Sequence, residues 1–117
     1  MHKLAVYGTL RSKDSWSGVL STQIYLGKGL LPNNIAIHDL GGYPAVRIIK
    51  GVVDKPTICE VYEIDDVALA RCDQIEGHPN FYERRLVDID GYGDCLVYFL
   101  DDCESYPRII SGDWFDK

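Results

Sequence analysis

Two short stretches of this chain carry residue types that can do chemistry: Tyr7-Gly8-Thr9-Leu10 near the N-terminus, and Glu76 two-thirds of the way along. A glycine turn after a short strand aims successive backbone N–H groups at one point, and such a nest binds a carboxylate or a developing oxyanion. A carboxylate on the apolar face of a helix end is desolvated and feels the negative end of the helix. Both effects raise its pKa from ~4.3 toward the ~6 to 7 range, where it takes and returns a proton at neutral pH. Each feature has an ordinary alternative. Any turn after an edge strand resembles the first, and a helix that frays one residue early turns Glu76 out to water. Residue types alone leave both readings open. His2, His38 and His78 are too scattered for a catalytic or metal-binding group and read as surface or loop residues. Ser and Cys side chains lack the partner or elbow sequence of a nucleophile.

The elements that must position these residues follow from periodicity. Residues 3–7 read as a strand, and Gly8 closes it where a tight backbone conformation is needed. Residues 11–18 are polar and mixed, a loop or an irregular helical turn. Strand-like runs follow over residues 23–26, 35–40, 45–49 and 57–64, separated by Gly, Pro and Asn. Residues 66–75 form the clearest helix, with Asp65 as N-cap and Gly77 where a C-terminal glycine belongs. Ala68, Leu69, Cys72 and Ile75 recur at spacings of three and four and make one buried stripe. Glu76 lies four residues beyond Cys72 and seven beyond Leu69, on or beside that stripe.

Residues 81–90 and 94–100 alternate like paired strands around the glycines of Asp90-Gly91-Tyr92-Gly93. In the tail, Ile109-Ile110 can add to the sheet and Gly112-Asp113-Trp114 reads as a turn anchored by an aromatic. Many short strands with one clear helix predict an α+β chain built on a strongly curved sheet or barrel.

The chain has 117 residues, 46% of them hydrophobic and 26% charged, the balance expected of one globular domain. Twelve Lys and Arg against eighteen Asp and Glu leave a net charge of -6, which repels phosphate backbones and anionic lipid and argues against nucleic-acid or membrane binding. The acidic clusters read as a solvated face. No stretch is apolar enough for a signal peptide or a membrane span. Cys59, Cys72, Cys95 and Cys103 have no zinc-site spacing and lie in or beside apolar segments, so reduced thiols in a cytoplasmic protein are expected.

Five blocks, in order, resemble the gamma-glutamylcyclotransferase-like, or AIG2-like, family: Val6-Tyr7-Gly8-Thr9-Leu10-Arg11; Gly42-Tyr43-Pro44-Ala45-Val46; Glu60-Val61-Tyr62-Glu63-Ile64; Asp73-Gln74-Ile75-Glu76-Gly77 followed by Tyr82 and Arg84; and Ser111-Gly112-Asp113-Trp114. The Y-G-T-L-R and D-x-x-E-G blocks form the specific pairing. The resemblance implies a compact mixed β-barrel with flanking helices, in which the first-strand loop and the glutamate face one pocket. It implies that Tyr7, Gly8, Thr9 and Leu10 bind the glutamyl end of a substrate and that Glu76 is the acid/base. Tyr98 matches a pocket-side tyrosine, although Leu96 stands where an aromatic is common. Tyr82 and Arg84 match a Y-x-R pair read as bracing the strand after the helix, and Trp114 as packing. After Arg11 the family often continues with glycine and asparagine, whereas this chain has Ser12-Lys13-Asp14-Ser15-Trp16, which leaves substrate preference open.

The reaction implied is cleavage of a gamma-glutamyl amide by attack of the glutamyl α-amine on its own side-chain carbonyl, giving 5-oxoproline and a free amine, without metal or cofactor. Because the ring closure is intramolecular, holding the substrate folded can contribute about 7 to 11 kcal/mol. The loop N–H groups can hold either the α-carboxylate or the oxyanion. The partner expected is thus a small gamma-glutamyl substrate, its amine half open, with an acidic surface that suits a basic or neutral leaving group. The chain is expected to act as a monomer or homodimer. The alternatives are a ligand-binding module that keeps the pocket without turnover, and an interaction domain using Trp16 or Trp114 as a dimer patch.

Overall fold

Alternate side chains of β1 (His2–Val6) enter two different cores, which makes this short strand the centre of the fold. Leu4 and Val6 pack with Leu10, Leu69 and Cys72 on one side, while Ala5 packs with Val61, Val97 and Phe99 on the other. Burial on both faces requires packing above and below the strand, and a backbone so shielded from water needs hydrogen-bonded neighbours on both edges. The computed structural model, which describes residues 1–11 and 17–117, supplies them. The altered stretch after Arg11, residues 12–16 with Trp16, lies outside the described residues.

Along the chain follow one turn of 3-10 helix (Ser17–Leu20), β2 (Ile24–Leu30), β3 (Ile35–Asp39), β4 (Pro44–Ile48), β5 (Ile58–Ile64), α1 (Asp66–Glu76), β6 (Glu83–Ile89) and β7 (Gly93–Phe99). The main sheet has five strands in the order β2-β5-β1-β7-β6. β1 runs antiparallel to β5 over its whole length and parallel to β7 around Leu4 and Leu96. β3 and β4 form a separate hairpin, with Ile37 opposite Val46.

The expected barrel does not close. Its two edges, β2 and β6, are not paired with each other, so the sheet is curled and open. The edges are bridged by a side chain: the Tyr92 hydroxyl donates to the carbonyl of Lys28 at 2.7 Å. A Cβ at Gly27 would lie 2.5 Å from that hydroxyl, and the residue's φ of 144° is one that side-chain-bearing residues rarely adopt, so glycine suits the position. Among the described residues the expected flanking helices amount to α1 and the 3-10 turn.

α1 starts and stops for the expected reasons. The Asp65 carboxylate accepts from the Ala68 N–H at 2.8 Å, and Gly77 takes the left-handed conformation (φ 67°) that ends the helix. The helix runs one residue further than residues 66–75, far enough to include Glu76. Ala68, Leu69 and Cys72 are buried and Ile75 half-buried, so the stripe faces the sheet as expected.

The tail docks on the β3–β4 hairpin instead of adding a strand. Ile109 N–H donates to Ile37 O at 2.9 Å and Asp39 N–H to Pro107 O at 2.8 Å, a single bridge beside His38. His38 is not a surface or loop residue: it lies on β3 and is 1% exposed. Its Nδ1 faces the Tyr106 carbonyl at 2.7 Å and its Nε2 faces Arg47 Nε–H at 3.1 Å. A carbonyl only accepts, so Nδ1 carries the proton and Nε2 accepts from Arg47. Burial lowers the His38 pKa, in keeping with that neutral form.

All four cysteines are buried and unpaired, and burial pushes the thiols of Cys59 and Cys72 up to about 12. Among the described residues, no helix is long and apolar enough to cross a membrane.

Candidate active site

The end of β1, the tip of the β3–β4 hairpin and the end of α1 meet around a cavity of about 260 Å³. Tyr7, Gly8, Thr9 and Leu10 line one side, Tyr43 and Pro44 a second, and Glu76, Tyr82 and Tyr98 the rest. The two stretches singled out by residue type, almost seventy positions apart, therefore face one space. Arg84 is not among the lining residues.

Glu76 points inward. It is half-buried, and burial raises its carboxyl pKa from 4.5 to about 7. The chain after the helix holds it there: Tyr82 N–H donates to the Glu76 carbonyl at 3.2 Å and Phe81 N–H to the Gly77 carbonyl at 2.7 Å. Three phenols surround the acid, and each spends its proton on a fixed acceptor. Tyr7 donates to the Tyr98 carbonyl at 2.6 Å, Tyr82 to the Pro44 carbonyl at 2.5 Å, and Tyr98 to Asp73 Oδ1 at 2.7 Å. Burial pushes all three pKa values upward, with the Glu76 charge adding to it, so the phenols stay neutral where the carboxyl titrates. Among the described residues, no three His, Cys, Asp or Glu side chains converge as a metal site would need.

Gly8 is required for a reason other than backbone conformation, since its φ is not positive. A Cβ there would stand 2.3 Å from Pro44 Cγ and 2.6 Å from Cδ, inside a rigid, buried ring. Any side chain at position 8 pushes against the hairpin whose Pro44 carbonyl also holds Tyr82. Gly8→Val is expected to destabilise the protein by about 1–3 kcal/mol through overpacking. Gly51→Ala, whose added Cβ meets nothing within 4 Å, should melt as the wild type does. Equal thermal midpoints for Gly8→Val and wild type would remove this account of the glycine.

Asp73, the first residue of the D-x-x-E-G block, was not expected to do anything. It accepts from Arg84 Nε at 2.9 Å and from a second Arg84 nitrogen at 3.2 Å, besides the Tyr98 hydroxyl. Desolvation raises its pKa, but the hydrogen bonds from Arg84 and Tyr98 and the Arg84 charge outweigh it and the net shift is downward. One carboxylate thus ties α1 to β6 and β7, and Arg84 braces the strand after the helix. Asp73→Ala should cost about 1–3 kcal/mol in denaturant unfolding, the range for losing hydrogen bonds to a charged group.

A second group missed in the sequence lies behind the loop. Arg11 is 2% exposed; its Nε donates to Glu60 Oε2 at 2.9 Å, a second nitrogen donates to Asp113 Oδ1 at 2.7 Å, and its guanidinium stacks on Phe115 at 4.1 Å. The signal available was a glutamate, Glu60, standing between apolar Cys59 and Val61 in a strand with both faces covered. Gly112 holds the tail beside this group. A Cβ there would lie 2.4 Å from the Pro56 carbonyl oxygen, and its own φ is 74°. Trp114 packs, 6% exposed, in the second core.

Among the described residues the fold is an open, curled α+β sheet with one α-helix, and its cavity sets a raised-pKa glutamate against a glycine loop. The chain belongs to the gamma-glutamyl cyclotransferase, AIG2-like family, whose sequence model matches residues 4–116. It is 31% identical over 116 residues to a gamma-glutamylcyclotransferase family protein of Citrobacter rodentium, covering 98% of this chain and 96% of that one. Among solved structures, an uncharacterized protein of Pyrococcus horikoshii superposes with a TM-score of 0.82 at 25% identity, covering 97% of this chain and 90% of the other. An AIG2-like protein of the mouse superposes with a TM-score of 0.79 at 21% identity over 95% of this chain and 87% of the other, a likeness of fold.

Proposed function

We propose that this protein is a gamma-glutamyl cyclotransferase-type enzyme that converts a gamma-glutamyl amide to 5-oxoproline and a free amine. The observation that carries the reading is Glu76, its carboxyl raised to about 7 and facing the Tyr7 to Leu10 loop across one cavity. The Glu76 carboxylate takes a proton from the substrate's α-ammonium. The freed amine attacks the side-chain carbonyl carbon, forming the ring C–N bond and a tetrahedral oxyanion. Collapse breaks the amide C–N bond as the proton held by Glu76 goes to the departing nitrogen, and the ring nitrogen gives up its second proton to the released amine, which leaves as the ammonium. One tuned carboxyl serves both transfers, and the nucleophile belongs to the substrate.

The backbone of Gly8 to Leu10 holds the glutamyl end in this reading, and the three phenols shape the wall without ionising. No step calls for a metal or a cofactor. Buried, unpaired cysteines suit a reducing compartment, and we place the reaction in the cytoplasm.

The test is incubation of the purified protein with a panel of gamma-glutamyl amides, reading 5-oxoproline by mass spectrometry beside Glu76→Gln. Release by the wild type and not by the variant supports the reading. Ligand binding without any release would make the protein a binding module on the same fold.

A further inference from the structure

The cavity beside Glu76 holds about 260 Å³, below the roughly 300–1,000 Å³ of pockets that enclose a drug-sized ligand. It suits a glutamyl head, and the rest of a substrate must lie across the rim. Two aromatic rings form that rim. Phe81 is 49% and Tyr43 39% exposed, and they meet edge to face with centroids 6.3 Å apart, although one follows α1 and the other sits at the hairpin tip. Phe81 also packs edge-on to Tyr82 at 5.2 Å.

Neither ring is loosely held. Phe81 N–H bonds the Gly77 carbonyl at 2.7 Å, and the Tyr43 carbonyl accepts from Leu40 N–H at 2.9 Å. Pro44, next to Tyr43, is wedged against Gly8 and bonded by Tyr82. Folding leaves about two fifths to half of each residue's surface in water, and a ligand that covered them would gain the burial that remains. The departing nitrogen must come within reach of Glu76, which hands it a proton, and Phe81 lines the same cavity, so the substituent on that nitrogen can meet the rim that Phe81 forms.

We propose that Tyr43 and Phe81 form the leaving-group subsite and select gamma-glutamyl conjugates whose amine half carries an aromatic or large apolar group. The proposal rests on the cyclotransferase reading for the position of the scissile bond. Among the described lining residues the only charged side chain is Glu76, which is occupied with proton transfer, so the described part of the rim offers a flat apolar surface and no counter-ion for a cationic substituent.

The experiment compares gamma-glutamyl-phenylalanine, gamma-glutamyl-alanine and gamma-glutamyl-ε-lysine in two ways: turnover by the wild type, and dissociation constants on Glu76→Gln by calorimetry. The phenylalanine conjugate should exceed the alanine conjugate by about 10-fold or more in both kcat/KM and affinity. Phe81→Ala and Tyr43→Ala should each lower that ratio at least roughly 3-fold, the share expected of one ring. A purely structural role would lower both substrates together and leave the ratio unchanged, which overturns the proposal. A preference for the lysine conjugate overturns it as well. Preferential binding of the phenylalanine conjugate without any 5-oxoproline would keep the subsite and sink the cyclotransferase reading. Turnover without preference would do the reverse.

Discussion

Glu76→Gln is expected to leave the fold intact and to lower 5-oxoproline release by roughly 10²- to 10⁴-fold, the range for removing a positioned general acid-base group. Glutamine keeps the shape of the side chain and cannot carry the proton. In the wild type, kcat/KM should rise with pH along a limb centred near 7, following the fraction of Glu76 ionised in the free enzyme. A limb centred near the ordinary carboxylate value would show that burial does not tune this acid, and an unaffected variant would remove Glu76 from the chemistry.

The same shift makes a prediction about stability. A carboxyl with a raised native pKa binds its proton more tightly folded than unfolded, so from the ordinary 4.5 up to about 7 the folded protein loses stability as pH rises. Above that window the whole penalty is present, and below it there is none. The glutamine variant carries no such penalty. Its thermal midpoint relative to the wild type should therefore be higher at pH 8 than at pH 4, and an equal difference at both would contradict a buried, titrating Glu76.

Arg11→Met is expected to give the largest loss of stability, about 3–5 kcal/mol, the range for removing one partner of a buried ion pair. Methionine fills similar space but takes away the cation that Glu60 meets at 2.9 Å and Asp113 at 2.7 Å. Because much of that loss comes from removing one charge of a buried pair while the other stays, Arg11→Met with Glu60→Met should recover part of it. Denaturant melts of the two single variants and the double variant measure the coupling. Additive losses would mean that the two side chains act independently. Since Arg11 follows the loop proposed to hold substrate and its N–H bonds the Gly8 carbonyl at 2.9 Å, the single variant should also weaken binding of a gamma-glutamyl amide.

Local order was legible where it depends on neighbours in sequence. The stripe Ala68, Leu69, Cys72 and Ile75 and the caps Asp65 and Gly77 define α1 because capping and helical spacing involve residues a few positions apart. The strand runs were found for the same reason, with ends shifted by a residue or more; β2 in particular extends to Leu30. What local pattern does not contain is which edges meet. A curled sheet and a closed barrel have the same strands, and here Tyr92 bridges edges that do not pair. His38 was misplaced because a histidine on a strand becomes a core residue only when the tail supplies a carbonyl and β4 an arginine.

The sequence by itself determined most of the strands, the capped helix of residues 66–75, and, through five ordered blocks, the family. Only the tertiary structure decided that Glu76 turns inward and that Tyr7 to Leu10 stands across the cavity from it. It also replaced the presumed backbone need for Gly8 with a contact, the buried ring of Pro44 from the hairpin. The physical reason is one of range: hydrogen bonds and periodicity within an element are local, whereas burial, which raises the Glu76 pKa, is made by β1, the hairpin and Tyr98 of β7 arriving at the same place.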